Sequence, residues 1–145
     1  EETFFGIRDQ NFLLASAPKS KFNLNFNYSS KKINTNLTIT SFSKVTLIDW
    51  QIYEPTIIED PSSEYIDETD RLHKATDIYN SKLTTDFNIG YALTDKIALK
   101  LGANNIFNIY PTAQENNWTD GGGYWDSVQM GTNGSFFYSN ISYKF

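Results

Sequence analysis

The feature that most constrains this chain is a two-residue alternation of apolar and polar side chains that recurs in five separate segments. Successive side chains of a strand point to opposite faces, so such alternation predicts strands with one apolar and one polar face. In the first segment Phe22, Leu24, Phe26 and Tyr28 alternate with Lys21, Asn23, Asn25 and Asn27, and Ser29-Ser30-Lys31-Lys32 reads as a tight turn. The second sets Ile33, Thr35, Leu37 and Ile39 against Asn34, Asn36, Thr38 and Thr40, and Val45 and Leu47 carry the same parity onward past a more polar middle. The third places Leu83, Thr85, Phe87, Ile89, Tyr91 and Leu93 on one face and turns at Thr94-Asp95-Lys96. The fourth returns with Ile97, Leu99, Leu101 and Ala103, which makes segments three and four an antiparallel hairpin. The fifth runs to the final residue with Phe137, Ile141, Tyr143 and Phe145 opposite Tyr138, Asn140, Ser142 and Lys144.

Asp86, Lys100 and Lys144 all fall opposite the large apolar residues. A soluble sandwich separates its faces in the same way, so strand and loop length must discriminate. Each segment is about 9 to 12 residues; at roughly 3.3 Å per residue and a 45° tilt this matches the roughly 25 Å apolar band of an outer-membrane barrel. Connections alternate short and long: two tight turns, then long polar stretches at about 48–81 and 108–133. Transmembrane barrels place short turns on the periplasmic side and long loops outside, whereas compact soluble domains seldom carry such loops. The expected fold is therefore all-β: an antiparallel up-and-down transmembrane β-barrel segment with about five long strands and two long extracellular loops, incomplete as a barrel on its own. Residues 17–145 form this segment. Residues 1–16 read either as an outer loop with a short helix or as the end of a preceding strand.

Composition removes several function classes. The 145 residues include no Cys and one His, which argues against disulfides, thiol chemistry and His- or Cys-built metal sites; neither a metal nor a cofactor is expected. A net charge of −5 gives no basic footprint for nucleic acid. No apolar run approaches the roughly 18 residues of a spanning helix, the longest being stretches such as Phe12 to Ala15. The opening Glu1-Glu2, without an initiator Met or a basic-apolar leader, reads as mature or truncated sequence.

Three segments resemble the C-terminal barrel end of a TonB-dependent outer-membrane receptor of the kind common in Bacteroidetes-like bacteria. Ala17-Pro18-Lys19-Ser20-Lys21-Phe22-Asn23-Leu24 is similar to the start of a late strand in that family. Leu101-Gly102-Ala103-Asn104-Asn105-Ile106-Phe107-Asn108-Ile109-Tyr110-Pro111 resembles its G-x-N-N-L-F-[DN]-x-x-Y-P segment, the most specific of the three. Ser142-Tyr143-Lys144-Phe145 resembles its aromatic C-terminal signature. The resemblance implies TonB-driven import of a scarce nutrient, such as a siderophore-iron complex, haem, a vitamin, a glycan or a peptide. It also implies as partners the rest of the barrel and its plug, the TonB complex reached through that plug, outer-membrane lipid, and the barrel-assembly machinery reached through Ile141, Tyr143 and Phe145. Neither plug nor TonB box can be found in these residues, so the chain is expected to be part of a larger barrel that transports nothing alone.

Of the family motif, Asn104, Asn105, Phe107, Tyr110 and Pro111 are read as structural: Asn closes turns through local backbone bonds, and Tyr-Pro supplies a turn and interfacial anchor. Trp118, Tyr124 and Trp125 around Gly121-Gly122-Gly123 are the candidate ligand-contacting residues, since exposed rings beside flexible glycine stack on sugars or aromatic siderophores. The alternative is packing among outer loops. Glu54, Glu59, Asp60, Glu64, Asp67, Glu68 and Asp70, interrupted by Pro55 and Pro61, lack the spacing of a calcium loop and read as solvated acid. Asp67, Asp70, His73 and Asp77 do not specify a catalytic constellation, and no enzymatic activity is expected. The competing reading from another class is a soluble β-sandwich carbohydrate-binding module using Trp118 and Trp125 as its platform.

Overall fold

The computed structural model describes residues 6–52, 65–67, 72–115 and 129–145. They are predominantly antiparallel β-structure with one short helix, and no described helix is long and apolar enough to cross a membrane. The chain divides into two compact units, one of Glu1–Lys19, Lys44–Asn80 and Pro111–Gln129, the other of Ser20–Ser43, Ser81–Tyr110 and Met130–Phe145. In chain order the elements are α1 (Ile7–Ala15), β1 (Lys21–Ser29), β2 (Ile33–Phe42), β3 (Val45–Ile52), β4 (Tyr65–Asp67), β5 (Leu72–Tyr79), β6 (Lys82–Ala92), β7 (Ile97–Asn104) and β8 (Phe136–Tyr143).

The second unit is a five-stranded sheet of order β1-β2-β6-β7-β8, antiparallel throughout. These are the five alternating segments, and the register places their apolar sets in common rows: Phe26 faces Leu37, Leu37 faces Phe87 and Phe87 faces Ala103. Leu99 in turn faces both Tyr91 and Ile141. A slip of one residue would move an entire set to the other face, so the alternation itself selects this register. Both predicted tight turns form. Ser30 N–H donates to the Ile33 carbonyl at 2.7 Å, and Leu93 N–H donates to the Ile97 carbonyl at 2.9 Å, with the Thr94 hydroxyl accepting from Ile97 N–H at 3.0 Å.

The first unit corrects two expectations. Val45 and Leu47 do not extend β2: that strand stops at Phe42, Ser43 N–H donates to the Ser20 carbonyl at 3.0 Å, and the chain enters β3 of a separate sheet. Nor is 48–81 one long loop. It supplies most of a three-stranded sheet of order β3-β5-β4. Val45 faces Tyr79 and Leu47 faces Asp77 across this sheet, and Ala15, Val45, Leu47 and Tyr79 form a small buried core with Phe12 packed against it. The helix α1 covers that core. It spans Ile7 to Ala15, so this part of residues 1–16 is helical rather than the end of a strand; residues 1–5 lie outside the described part. Gly6 N–H donates to the Asp9 carboxylate at 3.2 Å, satisfying one of the donors a helix start leaves open.

Leu47 is fully buried in a core of very few side chains. Leu47→Ala is expected to cost about 2–4 kcal/mol. Hydrogen exchange would register this as lost amide protection across 45–52 and 72–79; unchanged protection there would contradict the assigned core.

Candidate functional site

The chemistry of the five-stranded sheet lies in the contrast between its faces. On the apolar face Phe26 is 53% exposed, Phe87 37% and Ile141 74%, and Phe22, Leu24, Tyr28, Leu83, Tyr91, Leu101, Phe137 and Tyr143 are exposed as well. The opposite face is built of amides and hydroxyls that bond to one another across strands. Asn36 donates through its amide to Asn27 at 2.6 Å, the Thr38 hydroxyl to Asn25 at 2.7 Å and the Thr40 hydroxyl to Asn23 at 2.9 Å. The Asn88 amide extends the first of these rows to Asn36 at 3.5 Å. In that same row Asn88 faces Gly102, and Gly102 faces Tyr138. A Cβ at residue 102 would collide with the Tyr138 ring, so glycine lets the ring lie across β7. Phe136 stacks beside Tyr138 with ring centroids 6.2 Å apart, which places two aromatic rings on the polar face.

The motif after β7 folds into a hydrogen-bonded knot. Asn105 takes a left-handed conformation (φ 47°), which Asn tolerates better than most residues, and Asn108 does the same (φ 55°). The Asn105 amide donates to the Ile109 carbonyl at 2.7 Å while its side-chain oxygen accepts from Ile109 N–H at 2.9 Å, clamping the turn from both sides. Asn105 N–H donates to the Asp86 carboxylate at 2.7 Å, and Ile106 N–H to the Thr85 carbonyl at 2.9 Å, which tie the knot to β6. The Asn108 side-chain oxygen accepts from Ser135 N–H at 2.9 Å, joining the knot to the entry of β8. Gly134 (φ 68°) lies under the Tyr110 hydroxyl, where a Cβ would clash. Pro111 is buried, and Asn104, Phe107 and Tyr110 are exposed.

At the C-terminal end Ile141, Tyr143 and Phe145 are exposed, with Tyr143 and Phe145 in an edge-to-face pair at 5.1 Å. Trp118, Tyr124 and Trp125 lie outside the described residues, as do Glu54, Glu59, Asp60 and Glu64, and Glu68 and Asp70. Asp67 belongs to β4, while His73 and Asp77 belong to β5. Asp77 is buried and accepts from Glu115 N–H at 2.9 Å, which gives it a structural task in holding the segment after Pro111. Among the described residues no group of three His, Cys, Asp or Glu could hold a metal ion.

Sequence reasoning missed Asp86 as the anchor of Asn105, and it missed the Gly102–Tyr138 pairing. The available signal was a glycine inside an alternating run, which marks a close approach by another group. Comparison with known protein families, curated proteins and solved structures finds no match to this chain.

Removing the clamp by Asn105→Gly keeps the left-handed backbone accessible but deletes both side-chain bonds. We expect a loss of about 1–3 kcal/mol in unfolding free energy and new proteolytic cleavage within 105–110, measured by denaturant titration and limited proteolysis. Asn105→Gly with wild-type stability and no new cleavage would contradict the clamp. Gly102→Ala is expected to destabilise by about 1–3 kcal/mol through overpacking, with recovery when Tyr138→Ser is added; an additive double variant would contradict the pairing.

Proposed function

We propose that this chain is a C-terminal wall segment of a TonB-dependent outer-membrane receptor, which imports a scarce nutrient with energy from the TonB complex. The observation that carries this reading is the exposed apolar face of the five-stranded sheet, backed by a face of mutually bonded Asn and Thr. Apolar surface is stabilised only when removed from water, at roughly 25 cal/mol per Å². Hydrocarbon chains of a bilayer cover such a face without a second protein layer, and the polar face then lines the barrel interior.

Strand length and polarity support the same reading. The five strands contain 8 to 11 residues each, against roughly 9–11 for a tilted transmembrane strand. Tyr28, Tyr91 and Tyr143 fall near the tight-turn end of the apolar face, where interfacial aromatics belong. The antiparallel order leaves β1 and β8 running in the same direction as the two outer strands. They therefore cannot close antiparallel upon each other, and a closed up-and-down barrel needs an odd number of further strands, roughly seventeen in a 22-stranded receptor. The knot at Asn105 serves this wall by fixing how the chain leaves β7 and re-enters β8. The soluble-sandwich alternative would require a second sheet over Phe26, Phe87 and Ile141, which are exposed.

Fractionation of the expressing bacterium tests the proposal. The chain should sediment with the outer membrane, resist extraction by urea or carbonate, and derive from a reading frame encoding a plug and an odd number of further strands. A detergent-free monomer in the soluble fraction would contradict it.

A further inference from the structure

The polar face of the five-stranded sheet changes character along its strands. Away from the tight turns its side chains satisfy one another: Asn27, Asn36 and Asn88 form a bonded row, Thr38 bonds to Asn25, Thr40 to Asn23, and Asp86 accepts from Asn105 N–H. Toward the tight turns this stops. Asn34, Gly90, Lys100 and Asn140 face one another in a single row across β2, β6, β7 and β8. Among the described residues, none hydrogen-bonds or ion-pairs with the side chain of Asn34, Lys100 or Asn140. The Asn34 amide lies over Gly90, where a Cβ would collide with it. Gly90, Ala92 and Ala98 keep the surface low there, flooring a depression of about 270 Å³ whose wall carries Lys31, Lys32 and Lys100 and no carboxylate. A second depression of about 230 Å³ shares Ala92, Ala98 and Ser142 with the first and reaches Lys96 and Lys144, beside Asp95. The two form one shallow groove across the four strands, with five lysines and one carboxylate, in a chain whose net charge is −5.

We infer that this groove holds an acidic stretch of extended polypeptide, from the part of the same receptor that lies inside the barrel. The inference rests on the membrane reading above, which turns this face away from lipid, and adds to it the place and the charge of one interior contact. Charge complementarity selects the sign, since lysines facing a space shielded from bulk solvent are screened less than those in open water. The amides select a polypeptide. Asn34 and Asn140 each offer donors and an acceptor, which matches the N–H and C=O of a peptide group, whereas a small oxyanion engages donors alone. Length agrees: three strand spacings of roughly 4.8 Å make a groove of about 14 Å, which takes about four residues of extended chain. Such a segment sets one carboxylate near Lys100 and the next toward Lys96 and Lys144.

The test is carbodiimide coupling, which joins an ammonium to a carboxylate only where the two touch, on outer membranes carrying the native receptor, followed by peptide mapping. We expect Lys100, and Lys31 or Lys32, to be joined to Asp or Glu of one short segment of the receptor outside residues 1–145. Lys21 and Lys82, at the other end of the same face, should not be joined to it. Lys100→Glu should abolish the links of Lys31 and Lys32 to that segment by like-charge repulsion, while Lys82→Glu, the same change in net charge, leaves them intact. Lys100→Gln, which adds no repulsion, should reduce them and decides the question if Lys100→Glu does not assemble. Equal loss in the Lys100 and Lys82 variants overturns the inference. So do links from Lys100 only to carboxylates of this chain or of another protein, and so does the absence of links with Lys100 open to acylation. Slowing of that acylation by inorganic phosphate at matched ionic strength assigns the groove to a small oxyanion and likewise overturns it. Absence of the chain from the outer-membrane fraction, read before any coupling, overturns the membrane reading itself.

Discussion

An apolar sheet face must be withdrawn from water, and everything else in the five-stranded unit follows from that requirement. The rows running through Phe26, Leu37, Phe87 and Ala103, and through Tyr91, Leu99 and Ile141, set the register, because any slip would interleave them with asparagines. The same requirement explains the reverse face. On the proposed reading one side is reserved for hydrocarbon, and across the other the Asn27–Asn36–Asn88 and Asn25–Thr38 contacts satisfy the side-chain amides between strands. Gly102 leaves a gap in that lattice which the Tyr138 ring fills.

The two units solve the burial problem differently. The three-stranded unit hides Leu47, Val45, Tyr79 and Ala15 in a core of its own. It ties down the segments on either side of the undescribed 116–128 stretch through polar bonds: the Tyr79 hydroxyl donates to Gln114 at 2.6 Å, and the Gln129 amide donates to the Asn80 carbonyl at 3.0 Å. The five-stranded unit leaves its large apolar side chains outside. On the proposed reading, lipid takes the place of such a core for the five-stranded unit.

What the sequence revealed depended on periodicity. All five strands of the larger sheet were legible because apolar and polar side chains alternate along most of each, despite Thr35, Thr85 and Ser139 on the apolar face and Phe136 and Tyr138 on the polar one. The smaller sheet was hidden by an inverted signal: Asp49 and Asp77 lie on its buried face beside Leu47 and Ala75, so its strands read as polar loop. Val45 and Leu47 were misread for a related reason, since their parity continues that of β2 across Ser43 and Lys44, and only the Ser20–Ser43 bonds mark the break. The helix α1 gives a weak pattern because Leu13 and Leu14 are exposed while Phe12 and Ala15 face the core. At the knot, the turn-forming role of Asn105 could be read from residue type, but its partner Asp86 lies nineteen residues upstream and becomes a neighbour only through the β6–β7 pairing.

The most direct measurement exploits the absence of cysteine, which makes each introduced thiol unique. Spin labels would be placed singly at Leu24, Leu37, Phe87, Leu99 and Ile141, and at Asn25, Thr38, Asn88, Lys100 and Asn140, in the protein in its native membrane. The account predicts that labels of the first set collide with oxygen dissolved in lipid but not with a water-soluble nickel complex, and that labels of the second set do not share this lipid signature. If the first set is shielded from both reagents, or if the two sets respond alike, these side chains do not face hydrocarbon and the account fails.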